Sequence, residues 1–581
     1  MEDVLFVVPV YEATISRDCN GTILLATILK EKGMNVGIYR YYETKATNNF
    51  YEYVEDATKN ILARNPRIVS FYCRSDCYLV NIRVAERIKE LRPEIHIVFG
   101  GPQADTSAVE TIKKIPYVDY CCCGEGETTV FPLFNGLINN LDVTHIPGLT
   151  YRNSEGVVVS NPRPEMIEDL DTLPFDDYSF TPEEFKKRVT DENQHFHVDV
   201  GRGCPYNCAY CSTSIFWKRR FRMKSADRIF KEIVKAEKEL GVTSFVLEHD
   251  LFTANKKKVF EFCKILKDNG FNKSWICSSR ADTIDRETIE EMASAGLERI
   301  YMGIETGSPR MQKLTHKNLN LDTTIETIKA LHDNNIRVTA SFIYGFPEET
   351  EDDIEQTLQF VYRLVKMHVK KIQMHLFTMF PGTEYYNTYK DSLTLTNNTT
   401  DAVDTFGLEE NREFIQENKE IFPSFFEYRS ELRDKVYGLS NLMMLIFEIY
   451  EKLCKCDPER FCNMRLIDLF FDFKKANNIS SEQNPATSVR ENRLQYICNY
   501  LATIYTSDEL DILVDGFTFY ADLKRINQSD LAQMEVKSYN SDVNAFDKGA
   551  KLSEIKKTPV MVFIRKTGNK ISYVSKPTMP M

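Results

Sequence analysis

The sequence predicts an α/β protein with a doubly wound amino-terminal domain over residues 1–140, a partial (βα)6 barrel over 196–390 and a mostly helical carboxyl-terminal domain over 391–581. Two observations predict the first two parts, since short apolar runs alternate with helix-length amphipathic runs before residue 140 and again after 196. A third predicts the last part: after residue 390 the apolar residues fall mainly at helical spacing. At 581 residues the chain exceeds the roughly 250–300 at which one core stops growing, so several domains are expected.

The first series opens with VLFVVPVY (4–11) and GTILLATILKEKG (21–33), then NVGIYRYY (35–42) and a helical stretch over 51–63. RIVSFYC (67–73), HIVFGG (96–101) and VDYCCC (118–123) follow, each with its own amphipathic run. Five such units make a parallel sheet that binds ligands at the carboxyl ends of its strands. Two of those ends are glycine turns, Gly100-Gly101 and Gly124-Glu125-Gly126-Glu127, which suit either close approach of a large ligand or an ordinary tight turn.

Residues 141–195 lose this rhythm and read as a connector, with a hairpin over 149–161 and a segment rich in proline and aspartate after it. Six units then follow, with strands near 197, 243, 274, 299, 338 and 371, and the chemistry of such a barrel belongs at the carboxyl ends of the strands. In the last part, Leu442, Leu445, Ile446, Ile449 and Leu453 mark a helix, other segments of 422–513 look helical, and residues 559–575 read as a hairpin turning near Thr567-Gly568-Asn569.

Composition narrows the function. Apolar residues make up 43% and charged residues 27%, as in globular proteins, and no apolar run reaches the ~18 residues of a spanning helix. The opening residues carry an acidic start and no basic flank, so a cytoplasmic protein is expected. A net charge of −12 argues against a nucleic-acid partner. Fifteen cysteines in such a chain point to metal or redox chemistry rather than a disulfide frame.

Cys204, Cys208 and Cys211 lie in the loop after the barrel's first strand. Thiolates bind soft metals, and an iron-sulfur cube normally takes four; with three, one iron stays open to a small molecule. Zinc is the alternative, for which His195 or His197 on the preceding strand would supply a fourth ligand.

This C-x3-C-x2-C spacing, with Tyr210 before the last cysteine, resembles the signature of the radical S-adenosylmethionine (SAM) superfamily. Further segments resemble its motifs in order: residues 248–253 (EHDLFT), 278–282 (SSRAD), 303–308 (GIETGS), 341–349 (SFIYGFPEE) and 380–383 (FPGT). The resemblance implies a [4Fe-4S] cluster on the three cysteines and SAM beside it, cleaved to a 5′-deoxyadenosyl radical; the cofactors carry the hard step. It implies Asp250 or Glu248 for the SAM ammonium, Ser279 and Arg280 for the carboxylate side, and Glu305 for the ribose or amino group. Each also has an ordinary reading as a strand end or ion-pair partner.

The segments VFGGPQAD (98–105) and VDYCCCGEGETT (118–129), with the bridge over 146–178, are similar to the cobalamin-binding half of the B12-binding radical SAM class. Ser70, Tyr72, Gly100, Gly101, Gly124 and Gly126 are the residues this implies for the corrin. The chain departs from the D-x-H-x-x-G motif that supplies a histidine to cobalt, having residues 10–16 (VYEATIS) there and His96 at a strand start. Members without that histidine still bind cobalamin.

The class implies methyl transfer to an unactivated carbon or phosphorus centre of a small molecule or peptide, with an external electron donor such as flavodoxin or ferredoxin. A radical SAM cyclase, epimerase or rearrangement enzyme without methyl transfer is the alternative, and a non-catalytic iron-sulfur redox protein is the alternative of another kind. The basic run over 218–224 suits an anionic group or a solvated face. Cys121, Cys122 and Cys123, and the aromatic run over 422–428, read as core; Cys454, Cys456, Cys462 and Cys498 read as ordinary cysteines more readily than as ligands of a second cluster.

Overall fold

The computed structural model describes residues 2–9, 19–188, 195–369, 371–396, 405–480, 492–528, 534–567 and 570–577. Residues 10–16, where the cobalt histidine motif is missing, lie outside the described residues, as do Gly568 and Asn569 of the final turn. The chain forms two compact units, Met1–Ile343 with His368–Arg429, and Tyr344–Met367 with Ser430–Met581.

In the first unit, β1 (Glu2–Val8), β2 (Val36–Arg40), β3 (Pro66–Tyr72), β4 (His96–Gly100), β5 (Tyr120–Cys122), β6 (Leu149–Arg152) and β7 (Val158–Ser160) form one sheet in the order β2-β1-β3-β4-β5-β6-β7. The first five are parallel. Their near-continuous apolar runs follow from helices on both faces, and Val4, Phe6, Val8, Ile68 and Val98 pack with Ile23, Leu29 and Phe134 of those helices. The order 2-1-3-4-5 places the topological switch between β1 and β3, where such sheets bind ligands. The hairpin read as connector instead adds β6 antiparallel to β5 and β7 antiparallel to β6. Leu149, Thr150 and Tyr151 of β6 are all buried, so this strand is covered on both faces.

The second sheet of this chain contains β8 (Phe196–Asp199), β11 (Ser244–Glu248), β12 (Ser274–Ser279), β13 (Leu297–Glu305), β14 (Arg337–Tyr344) and β15 (Lys371–Leu376), in the order β15-β14-β13-β12-β11-β8. β9 (Gly201–Arg202) and β10 (Arg222–Met223) form a separate antiparallel ribbon beside it. The intervening helices begin at side chains that accept a backbone N–H of the first turn, Ser225, Asn255, Asp285, Asn320 and Thr350. Their starts were therefore legible in the sequence. The aromatic run over 422–428 holds a two-residue strand, β17 (Phe426–Glu427), paired with β16 (Thr394–Leu395). Phe422, Phe425 and Phe426 are core, as is Cys121.

The second unit contains the helices Glu351–Lys366, Leu439–Cys456, Leu466–Ala476, Arg493–Leu501 and Ser507–Gln528. The expectation of a mostly helical carboxyl-terminal part misses β16, β17 and a longer strand: β18 (Met534–Tyr539) joins β19 (Val560–Thr567) and β20 (Lys570–Pro577) in an antiparallel sheet. Phe519, Tyr539, Val560, Val562 and Ile564 form its core. Cys454 and Cys456 lie on the Leu439–Cys456 helix and Cys498 on Arg493–Leu501, with Cys462 just after the helix Pro458–Phe461. No helix among the described residues is long and apolar enough to cross a membrane.

Candidate functional site

The three cysteines sit between β9 and the short helix Ser212–Phe216, each partly exposed. Cys204 and Cys211 have thiol pKa values raised first by burial, and their neighbouring thiols add to the effect. Three neighbouring thiols are a donor set suited to iron, whose charge replaces their protons. Of the two histidines weighed for zinc, His195 Nδ1 lies 2.7 Å from the Ser244 hydroxyl, and His197 Nδ1 is paired with Glu248. Among the described residues no three His, Cys, Asp or Glu side chains close on a single ion.

The loop is held from several sides. The Gly203 N–H donates to Asp250 at 2.6 Å, the Ala209 N–H donates to the Thr315 carbonyl at 3.0 Å, and the Cys211 N–H donates to the Cys208 carbonyl at 3.1 Å. Arg280 lies over the Tyr206 ring at 3.8 Å, with Nη1 3.8 Å from Cys208 Sγ, and its other nitrogens donate to Asp282 and, at 2.7 Å, to the Lys317 carbonyl. Gly203 has φ +84°, and an added Cβ would overlap the Arg220 carbonyl oxygen. Gly203→Ala is therefore expected to lose most of the iron that the unaltered protein takes up, measured as iron and acid-labile sulfide per chain after anaerobic reconstitution.

Asp250 is exposed, yet surrounding protein raises its pKa, with Asp199 and Glu248 adding to that effect. An accessible group inside dense surroundings faces a concavity. Tyr301 shows the same combination, Tyr210 is half-buried with its pKa raised by burial, and both feel the charge of Glu305. The cluster loop, Asp250, Arg280 and Glu305 are thus neighbours at the carboxyl end of the barrel. Glu248 pairs instead with His197. Ser279 is buried and engaged with the Thr253 hydroxyl at 2.7 Å and the Arg280 carbonyl at 3.0 Å. His249 of the same motif is buried, accepts the Leu251 N–H at 3.0 Å, and has its pKa pushed down to about 4 by burial, so it is neutral.

Ser70 and Tyr72 lie on β3, Gly100 ends β4, and Gly101, Gly124 and Gly126 follow β4 and β5. Space is open above Gly100, whereas Gly101 (φ +97°) and Gly124 (φ +87°) have neighbours that an added Cβ would crowd. Ser70 is buried within its strand. Of these glycines Gly100 alone has open space beside it.

Sequence reading missed the glutamates between these glycines. Glu125 pairs with Arg202 and, at 2.8 Å, with Arg222; Glu127 pairs with Arg202. Glu125 and Arg222 are 3% and 4% exposed, so the charges are buried together. This network joins the loop after β5 to the ribbon that leads into the cysteines. It also corrects the basic run: Arg220 pairs with Glu168, Arg222 with Glu125 and Lys224 with Glu232, leaving Lys218 and Arg219 outside these pairs.

Residues 198–361 match the radical SAM superfamily, and residues 20–131 match the B12 binding domain. The chain carries a radical SAM domain and a B12 binding domain. An uncharacterized methyltransferase of Pyrococcus horikoshii is 28% identical over 391 residues, 66% of this chain and 82% of that one. The anaerobic magnesium-protoporphyrin IX monomethyl ester cyclase of a Synechocystis species is 30% identical over 47% of this chain, which spans about half (54%) of that relative. The cobalamin-dependent SAM radical enzyme OxsB, solved with aqua-cobalamin and SAM bound, superposes with a TM-score of 0.61 at 17% identity, covering 91% of this chain and 82% of that one. The cofactors of the class, a [4Fe-4S] cluster, SAM and cobalamin, suit the donor sets described above.

Proposed function

We propose that this B12-binding radical SAM enzyme is a methyltransferase that modifies an unactivated carbon or phosphorus centre of a small molecule or peptide. The observation that carries this reading is the buried Glu125–Arg202–Arg222 network, which ties the corrin-side loop to the cysteine loop within one unit. When bound, the cluster supplies an electron to SAM, and cobalamin carries a methyl group from SAM to the acceptor. Cys204, Cys208 and Cys211 hold the cluster. Asp250 and Glu305 receive the polar end of SAM, Arg280 braces the cluster loop and screens Cys208, and the strand ends near Tyr72, Gly100 and Gly101 seat the corrin. An external donor of the flavodoxin or ferredoxin type supplies the electron.

Methyl transfer consumes SAM in two ways and yields S-adenosylhomocysteine together with 5′-deoxyadenosine. With excess reductant, S-adenosylhomocysteine is expected to form only when cobalamin is supplied, while 5′-deoxyadenosine forms with or without it; product chromatography checks both. The likeness to the Synechocystis cyclase favours a second reading, cyclisation without methyl transfer. That reading predicts 5′-deoxyadenosine alone under all conditions.

A further inference from the structure

The segment 315–318, between the helices Pro309–Leu314 and Leu321–Asp333, belongs to none of the motifs in the sequence, yet it touches three parts of the site. The Thr315 carbonyl accepts the Ala209 N–H of the cysteine loop at 3.0 Å, and the Lys317 carbonyl accepts Arg280 Nη2 at 2.7 Å. The Lys317 ammonium lies 3.0 Å from Glu305 Oε1, with Lys317 and Glu305 only 6% and 8% exposed.

The backbone on both sides of this ion pair is strained and braced. Glu305 has φ +70° at a break in the β13–β14 register, and His316 and Asn318 each have φ +55°. Non-glycine residues are disfavoured in the left-handed region, so surrounding contacts must fix them. Gln312, itself buried, provides these: its amide donates at 2.8 Å to the Ile304 and Thr306 carbonyls on either side of Glu305, and its side-chain oxygen accepts the Leu319 N–H at 3.0 Å. Gly303 keeps the space clear, since an added Cβ would collide with the Glu305 carboxylate and approach Lys317 Nζ to 3.2 Å.

We infer that Lys317 is a positioning residue for SAM binding: its ammonium pairs with the Glu305 carboxylate and aims it toward the ligand. This rests on the reading that Glu305 faces SAM. A buried carboxylate deprived of its cation takes up a proton instead of holding a charge. Tyr210 from the cysteine loop and Tyr301 on the same strand also face Glu305. Burial is the main cause of their raised hydroxyl pKa values, and the Glu305 charge adds to it, so neither supplies a charge near neutrality.

The test measures SAM affinity of the cluster-loaded protein from the change SAM causes in the EPR signal of the reduced cluster, between pH 6 and 9. Lys317→Met is expected to bind SAM about tenfold more weakly than the unaltered protein at pH 7. The deficit shrinks as pH rises and Glu305 loses its proton. Lys317→Arg, which keeps the charge, stays within about threefold with an unaltered pH profile. Should the methionine variant fail to retain iron, Lys317→Gln against Lys317→Arg makes the comparison, and equal pH profiles for those two overturn the inference. Glu305→Gln separates the two levels. If it weakens SAM binding while Lys317→Met does not, only the role of Lys317 falls; if it leaves SAM binding unchanged, the placement of Glu305 at SAM falls with it.

Discussion

Cys208→Ala is expected to abolish reductive cleavage of SAM, with 5′-deoxyadenosine falling to the level of a cluster-free control. The effect is total because a three-cysteine site has no ligand to spare. Cys208 is also the thiol nearest Arg280, so its removal strips the guanidinium of its sulfur neighbour as well. The corrin candidates stand on a different sheet with its own core of Val4, Phe6, Ile68 and Val98, so cobalamin uptake is expected to persist in this variant. Iron analysis, a visible spectrum with hydroxocobalamin and product chromatography read the three outcomes. Continued SAM cleavage by Cys208→Ala would show that another residue completes the cluster. As a matched control, Cys456→Ala, in the buried face of a helix in the second unit, is expected to retain full cleavage.

The second large effect belongs to Glu125. Removing one member of a buried ion pair leaves its partner charged without compensation, at about 3–5 kcal/mol. Glu125→Gln leaves Arg222 in that position, and Arg222 Nε and Nη2 already have no hydrogen-bond acceptor. The expected result is a lower denaturant midpoint for the first unit, together with looser attachment of the cysteine loop, because Arg202 directly precedes Gly203 and Cys204. The same network gives an acid limit. Burial by itself would raise the Glu125 pKa, but Arg222, Arg202 and the Ile167 N–H outweigh it and hold it below the ordinary value. A depressed carboxyl stabilises the fold fully above its unfolded value near 4.3 and loses that contribution as pH falls through the lower folded value. Glu125→Gln is therefore expected to flatten the acid limb of stability below about pH 4. An unchanged midpoint and acid limb would show that the network carries no net stabilisation.

What the sequence made legible follows the range of each interaction. Strands and helices of both sheets were readable because burial on two faces gives long apolar runs and because helix starts carry Ser, Asn, Asp or Thr caps. The cysteine loop was readable because its ligands are close in sequence. Strand β18 was not, since a short alternating segment such as residues 534–539 becomes a strand only once β19 pairs with it. The least legible residues were charged ones whose partners lie far along the chain. Glu125 meets Arg202 77 positions later and Arg222 97 positions later, and nothing local distinguishes those arginines from a solvated basic run. Lys317 meets Glu305 only 12 positions away, but the bulge and left-handed turns that bring them together are tertiary effects. For the same reason Glu248, conspicuous at a strand end, is paired with His197, while Glu305 holds the position between two tyrosines and the cysteine loop.

The central claim is that one chain holds a SAM-cleaving cluster and cobalamin side by side. The most direct measurement is anaerobic reconstitution with iron, sulfide and hydroxocobalamin, followed by desalting, a visible spectrum and assay of SAM products under strong reductant. Cobalamin bands are expected to survive desalting at about one per chain, with both 5′-deoxyadenosine and S-adenosylhomocysteine formed. Loss of the cobalamin bands on desalting, with 5′-deoxyadenosine as the sole product, would contradict that claim.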